Sequence, residues 1–234
     1  MKKALKLLWV LLAALLPAVL GIAQTSDNNA PIGGVRDTPE ALGVLADWNI
    51  IPGYENTIAA GRLKIEAARE GTNGVAKVTW SSSKDWRMCE FFALLPEGFD
   101  YGVYDGITFK VKLPASSNFL LLLRNPGGGT TWKIWEDYVY RGRDDNELVW
   151  VTVSIPFKDA VDSGWGPPPG QATLKEWLTA TKSVRKQINL NPMLNTGGGS
   201  AENADQVTYF DDIGFYKGNN PDNPDSICII WNFD

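Results

Sequence analysis

Residues 107–113 alternate: Ile107, Phe109, Val111 and Leu113 are apolar, and Thr108, Lys110 and Lys112 between them are polar. Period-two alternation belongs to a strand with one face in a core and the other toward water. Residues 148–155 repeat it, with Val149, Val151, Val153 and Ile155 on one side and Trp150, Thr152 and Ser154 on the other. Residues 119–123 are apolar throughout, which predicts a central strand. Residues 61–68, 75–80 and 87–95 are further strands. Only 173–182 has helical spacing, with Thr173 placed to cap it. Gly, Pro, Asn and Asp turns separate the strands. Strands joined by turns, with almost no helix, predict an all-β antiparallel β-sandwich whose second face meets solvent or ligand.

The two ends of the chain read differently. Lys2, Lys3 and Lys6 precede an apolar run at 7–16, and Gly21 and Ala23 satisfy the small-x-small rule for cleavage before Gln24. Residues 1–23 are therefore expected to be a signal peptide, too short for a comfortable membrane span, and the mature protein to be secreted, or periplasmic in the cell envelope. Residues 24–39 read as a flexible mature N-terminus, 40–217 as the sandwich, and 218–226 as a Gly/Asn/Pro/Asp linker. Residues 227–234 are an apolar strand-like segment that either pairs back on the sandwich or joins a partner. An oxidising compartment permits disulfides, so Cys89 and Cys228 are either bridged or two buried thiols.

Composition narrows the chemistry. The chain of 234 residues has no histidine, two cysteines and a formal net charge of -5. Without imidazole there is no Ser-His-Asp or Cys-His nucleophile and no His-ligated zinc. The acidic balance argues against binding a phosphate backbone. Paired carboxylates survive, but Glu136 with Asp137, and Asp144 with Asp145, are adjacent and would point to opposite faces of a strand. The expectation is no enzyme.

Ten tryptophans then need a role. If 132–140 is one strand, Trp132, Ile134, Glu136, Tyr138 and Tyr140 share a face, and Trp150 points away from the apolar side of the next strand. Flat rings outside a core suit the C–H face of a pyranose. The stacking candidates are Trp132, Trp135, Tyr138, Tyr140 and Trp150, with Arg124, Glu136 and Asp137 as hydrogen-bonding partners for hydroxyls. In 207–216, the period-two face holds Val207, Tyr209, Asp211, Ile213 and Phe215. A carboxylate among apolar neighbours must be paired, protonated or metal-bound. Oxygen ligands without histidine favour Ca²⁺, with Asp47, Glu70 and Asn73 as candidates to join Asp211.

The run Trp150-Val-Thr-Val-Ser-Ile-Pro-Phe-Lys-Asp159, then Gly164-Trp165-Gly166, then Tyr209-Phe-Asp-Asp-Ile-Gly-Phe-Tyr216 resembles jelly-roll carbohydrate-binding modules of the galactose-binding-like group, most closely family 11 modules and their relatives. The resemblance covers about residues 103–217. It implies a jelly roll, a sugar site on a concave sheet, and a structural calcium held in part by Asp211. The Asn/Gly-rich stretch 184–204 is longer than in many relatives and would reshape one edge of the cleft. The expected function is non-catalytic binding of a β-glucan-like polysaccharide or cell-surface glycan. The alternative is a structural protein of the envelope or a filament sheath, using the same fold and associating with other envelope proteins or itself.

Overall fold

The computed structural model describes residues 35–36, 45–52, 63–81, 89–113, 117–126, 131–134, 149–162, 173–181, 185–194 and 205–233. The strands are β1 (Val35–Arg36), β2 (Trp48–Pro52), β3 (Lys64–Glu70), β4 (Asn73–Trp80), β5 (Cys89–Leu94), β6 (Gly106–Leu113), β7 (Ser117–Arg124), β8 (Thr131–Ile134), β9 (Val149–Pro156), β10 (Val161–Asp162), β11 (Gln187–Leu194), β12 (Gln206–Lys217) and β13 (Ser226–Trp231). They form two sheets, one of seven strands and one of six. The six-stranded sheet runs β10-β8-β7-β11-β5-β2. In the other, β12 is the spine: β4 then β3 lie along its first half, β13 along its second, and β6 with β9 on its opposite edge. The chain passes back and forth between the sheets in a jelly-roll β-sandwich. All pairings are antiparallel except that of β1 with β13.

The alternating segments do what their patterns predict. Ile107, Phe109, Val111 and Leu113 enter the core, as do Val151, Val153 and Ile155 across the β6–β9 ladder. Strand β7 is central, between β8 and β11, and its run Leu120–Leu123 is buried on both sides. Trp48 stacks on Phe91 at 4.3 Å, and Phe91 on Phe210 at 4.9 Å, so aromatic rings bridge the two sheets. The one described α-helix, α1 (Leu174–Ala180), starts at Thr173, whose hydroxyl accepts from Glu176 N while the Glu176 carboxylate accepts from Thr173 N. Leu174, Trp177 and Leu178 pack its inner face into the core.

Strand β12 departs from simple alternation. Phe210 is in the core, and so are Ile213 and Phe215, because the ladder with β6 shifts register between Asp211 and Gly214. Asp212 takes φ +46° at this bulge, a left-handed conformation that aspartate tolerates better than most residues. The bulge reverses the facing of every later residue, so Ile213 and Phe215 do not share a face with Tyr209. This corrects the single period-two face expected for 207–216.

The stretch at 218–226, read as a linker, is the connection from β12 to β13. Asp225 N donates to Lys217 O at 2.8 Å, and Gly218 N donates to Asp105 Oδ2 at 2.9 Å. Strand β13 pairs along β12 and buries Cys228, Ile230 and Trp231 in the core. Cys89 and Cys228 are both buried thiols rather than halves of a bridge. Burial pushes the Cys89 thiol well above its ordinary pKa.

Candidate functional site

The outward side of the six-stranded sheet is polar where a solvent face would be, yet buried. On β11, Ile188 and Leu190 enter the core, so Gln187, Asn189 and Asn191 point the other way. Their exposures are 5%, 0% and 0%. On β5 the outward set is Glu90, Phe92 and Leu94, and on β7 it is Leu120, Leu122 and Arg124. Arg124 and Glu90 lie across this face and meet at 2.8 Å, with 23% and 15% of their side chains exposed. Asn189 Nδ2 donates to the same Glu90 oxygen at 3.3 Å. Asn191 Oδ1 accepts from Phe91 N at 3.2 Å.

This network does not close on itself. The Gln187 amide can donate to Asn189 Oδ1 at 2.9 Å. Turned over, its oxygen accepts from Arg124 Nη2 at 2.9 Å and Nε at 3.1 Å. One amide cannot serve both neighbours, and the guanidinium, with five donors to place, favours the second orientation. Asn189 Oδ1 then loses that donor. Asn191 Nδ2, fully buried, has no hydrogen-bond partner at all. An unmet buried polar group costs about 1–3 kcal/mol, so the face holds hydrogen-bonding capacity that the protein alone leaves unused.

The outward side of the seven-stranded sheet is different. Its registers align Glu66, Lys77, Tyr209, Lys112 and Trp150 in one row across β3, β4, β12, β6 and β9. Lys112 Nζ lies 5.1 Å from the Tyr209 ring centre and 6.0 Å from that of Trp150, and bonds both carboxylate oxygens of Glu70 at 3.0 Å. The Trp150 and Tyr209 rings are 6.4 Å apart and inclined at 56°. Lys77 pairs with Glu66 at 3.5 Å and Lys110 with Asp212 at 2.9 Å.

The candidates from sequence are therefore distributed over both sides. Arg124 is in the polar network of the six-stranded sheet, and Trp150 is on the outer side of the other sheet. Trp132 is on β8 of the six-stranded sheet, paired with Leu123. Strands β8 and β9, expected as neighbours, belong to different sheets. Trp135, Glu136, Asp137, Tyr138 and Tyr140 lie outside the described residues, as do residues 1–23. Glu90, Gln187, Asn189 and Asn191 were not singled out from sequence, although the alternation of 187–191 carried the signal: polar, apolar, polar, apolar, polar.

Of the four oxygen donors considered for calcium, Glu70 and Asn73 are register partners at the β3–β4 turn. Glu70 spends both oxygens on Lys112, and Asp47 accepts the Trp231 indole N–H at 3.0 Å. Asp211 is 5% exposed and paired in register with Lys110, and Asn73 is exposed at the β3–β4 turn. Among the described residues no three Asp, Glu or Cys side chains cluster as a metal site.

No family model matches the chain, and no curated protein matches it. Among solved structures it is similar to the family 11 carbohydrate-binding module from Clostridium thermocellum in complex with a β-1,3-1,4-mixed-linked tetrasaccharide: 17% identity, 71% of this chain and 86% of that one, TM-score 0.47. It is also similar to the family 11 module of the cellulosomal cellulase Lic26A-Cel5E of the same organism: 16% identity, 79% of this chain and 94% of that one, TM-score 0.48.

Proposed function

We propose that this protein is a secreted, non-catalytic carbohydrate-binding protein whose ligand lies on the outer side of the six-stranded sheet. One observation carries the reading: Arg124, Glu90, Gln187, Asn189 and Asn191 form a polar network with unused donors and acceptors on the side turned away from the core. A sugar hydroxyl is donor and acceptor at once. Arg124 and Glu90, the partly exposed members of the network, supply a donor and an acceptor that such a hydroxyl can meet, with the buried amides holding them in place. Phe92 and Leu94, half-buried beside the network, offer apolar surface for the C–H faces of a ring. The Arg124 and Glu90 charges cancel, so the face favours neutral glycans over uronic acids.

The test is affinity electrophoresis of the protein through gels containing mixed-linkage β-1,3-1,4-glucan, β-1,3-glucan, xyloglucan or mannan. At least one polysaccharide is expected to retard it. Arg124→Ala and Glu90→Gln, which remove the partly exposed donor and acceptor, are each expected to weaken that retardation at least threefold. Migration unaffected by every polymer would reject the function, and retardation unchanged in both Glu90→Gln and Arg124→Ala would reject the site.

A further inference from the structure

The row on the seven-stranded sheet is not accounted for by the site just described. We propose that Trp150, Tyr209 and Lys112 form a second glycan-binding surface, on the opposite side of the sandwich, so that one chain can hold two polysaccharide strands at once. This rests on the carbohydrate-binding reading and extends it to a separate face.

Strand β9 turns Val151, Val153 and Ile155 into the core, and the solvent side of such a strand ordinarily carries residues like its own Thr152 and Ser154. Trp150 is on that side, half-buried, and so is Tyr209 two strands away. Neither ring belongs to the core cluster. Lys112 stands between them, its ammonium 6.0 Å from one ring centre and 5.1 Å from the other. An aromatic surface with a donor and a carboxylate beside it supplies what a pyranose needs, a flat contact for its C–H face and partners for its hydroxyls. Trp150 is the stacking surface. Lys112 and Glu70 are the hydroxyl partners.

The charges specify the occupant. Lys77, Lys110 and Lys112 are matched by Glu66, Asp212 and Glu70, so the three ion pairs leave no net field to attract an anion or a cation. A neutral polysaccharide fits this surface, and an acidic or basic protein partner would find no complementary charge. The two faces look in opposite directions across a sandwich whose sheets pack about 10 Å apart, too far round the molecule for one short oligosaccharide to touch both.

The experiment is calorimetric titration of the full mature chain with a short oligosaccharide of whichever polysaccharide retards it, alongside turbidity with the parent polymer. Wild type is expected to bind two oligosaccharides per chain and to precipitate the polymer by cross-linking. Trp150→Ala is expected to bind one and lose the turbidity, while Trp150→Phe, which keeps an aromatic face, retains both. Arg124→Ala is likewise expected to keep the Trp150 surface. Lys112→Gln gives a second variant should Trp150→Ala fail to fold by circular dichroism, and it too is expected to lower the stoichiometry. One oligosaccharide per wild-type chain, lost in Arg124→Ala and unchanged in Trp150→Ala, would overturn the second surface and leave the first standing. Binding lost in Trp150→Ala and unaffected in Arg124→Ala would keep this surface and overturn the other. Failure to bind any polymer would overturn both.

Discussion

Glu90 and Arg124 show how much a single pair can decide. Each is partly withdrawn from water, and each carboxylate or guanidinium hydrogen bond is charge-assisted. Removing one partner strands the other, so Arg124→Ala is expected to lower stability by about 1–3 kcal/mol. The double variant Glu90→Gln with Arg124→Met leaves no orphaned charge and is expected to lose less than Arg124→Ala in urea unfolding. A larger loss in the double variant would mean that the pair acts through packing. Lys186 makes a prediction of a different kind. Its side chain is wholly buried, with Nζ donating to Thr181 O at 3.1 Å and lying 4.4 Å from the Trp177 ring centre. Burial lowers its pKa to about 8 from 10.5. Between those values the unfolded chain binds the proton and the folded chain does not, so stability rises with pH from about 8 upward. Tyr101, pushed up to about 12 by burial, acts oppositely above pH 10, as does the buried Cys89 thiol above its ordinary range near 9. The melting temperature is therefore expected to climb between pH 7.5 and about 9, and the climb to vanish in Lys186→Met. Residues of this kind were the least legible beforehand. A lysine before a polar-apolar alternation gives no sign that its ammonium will lie under a tryptophan from a neighbouring helix.

Among elements, strand β12 is the informative one. Its bulge at Asp211 to Gly214 lets one strand serve β4 and β13 on one edge while keeping its apolar residues inward on both sides of the irregularity. Deleting Asp212 removes the extra residue and leaves Phe210, Ile213 and Phe215 in strict inward alternation at the cost of the Lys110–Asp212 ion pair, so the variant is expected to keep cooperative unfolding with a modestly lower melting temperature. Loss of cooperative unfolding with binding of a hydrophobic dye would show instead that the bulge itself is needed to seat β12 between its neighbours. Gly214 is required next to it: a Cβ there would lie 2.1 Å from Cys228 O, a backbone atom with nowhere to go. Gly214→Ala is expected to cost about 1–3 kcal/mol, read as a fall in melting temperature. Straight strands were legible from alternation alone, as β6 and β9 show, and so was α1 with its cap at Thr173. The bulge was not, because an inserted residue leaves composition unchanged and betrays itself only through the partner strand.

For the whole molecule, β13 decides what the chain needs in order to close. Cys228, Ile230 and Trp231 are core residues, and Trp231 also donates to Asp47 at the entry to β2. The segment thus pairs within its own chain. This removes the strand donation that motivated the reading as a filament or sheath subunit. Truncation after Lys217 is expected to leave an insoluble or dimerising chain, because it uncovers an edge of β12 and opens the core. A soluble truncated monomer of unchanged melting temperature would contradict this. Across the chain, alternation and turn chemistry are properties of a few adjacent residues. They suffice to say that strands form, which side of each is apolar, and that the product is a β-sandwich. Their reach ends at pairing. Strands β8 and β9 follow one another in the chain yet enter different sheets, which puts Arg124 and Trp150 on opposite sides of the protein. Gln187, Asn189, Glu90 and Arg124 meet although they span about a hundred residues of sequence. Such meetings depend on which edges close together when apolar faces are buried, a choice made by the whole chain at once.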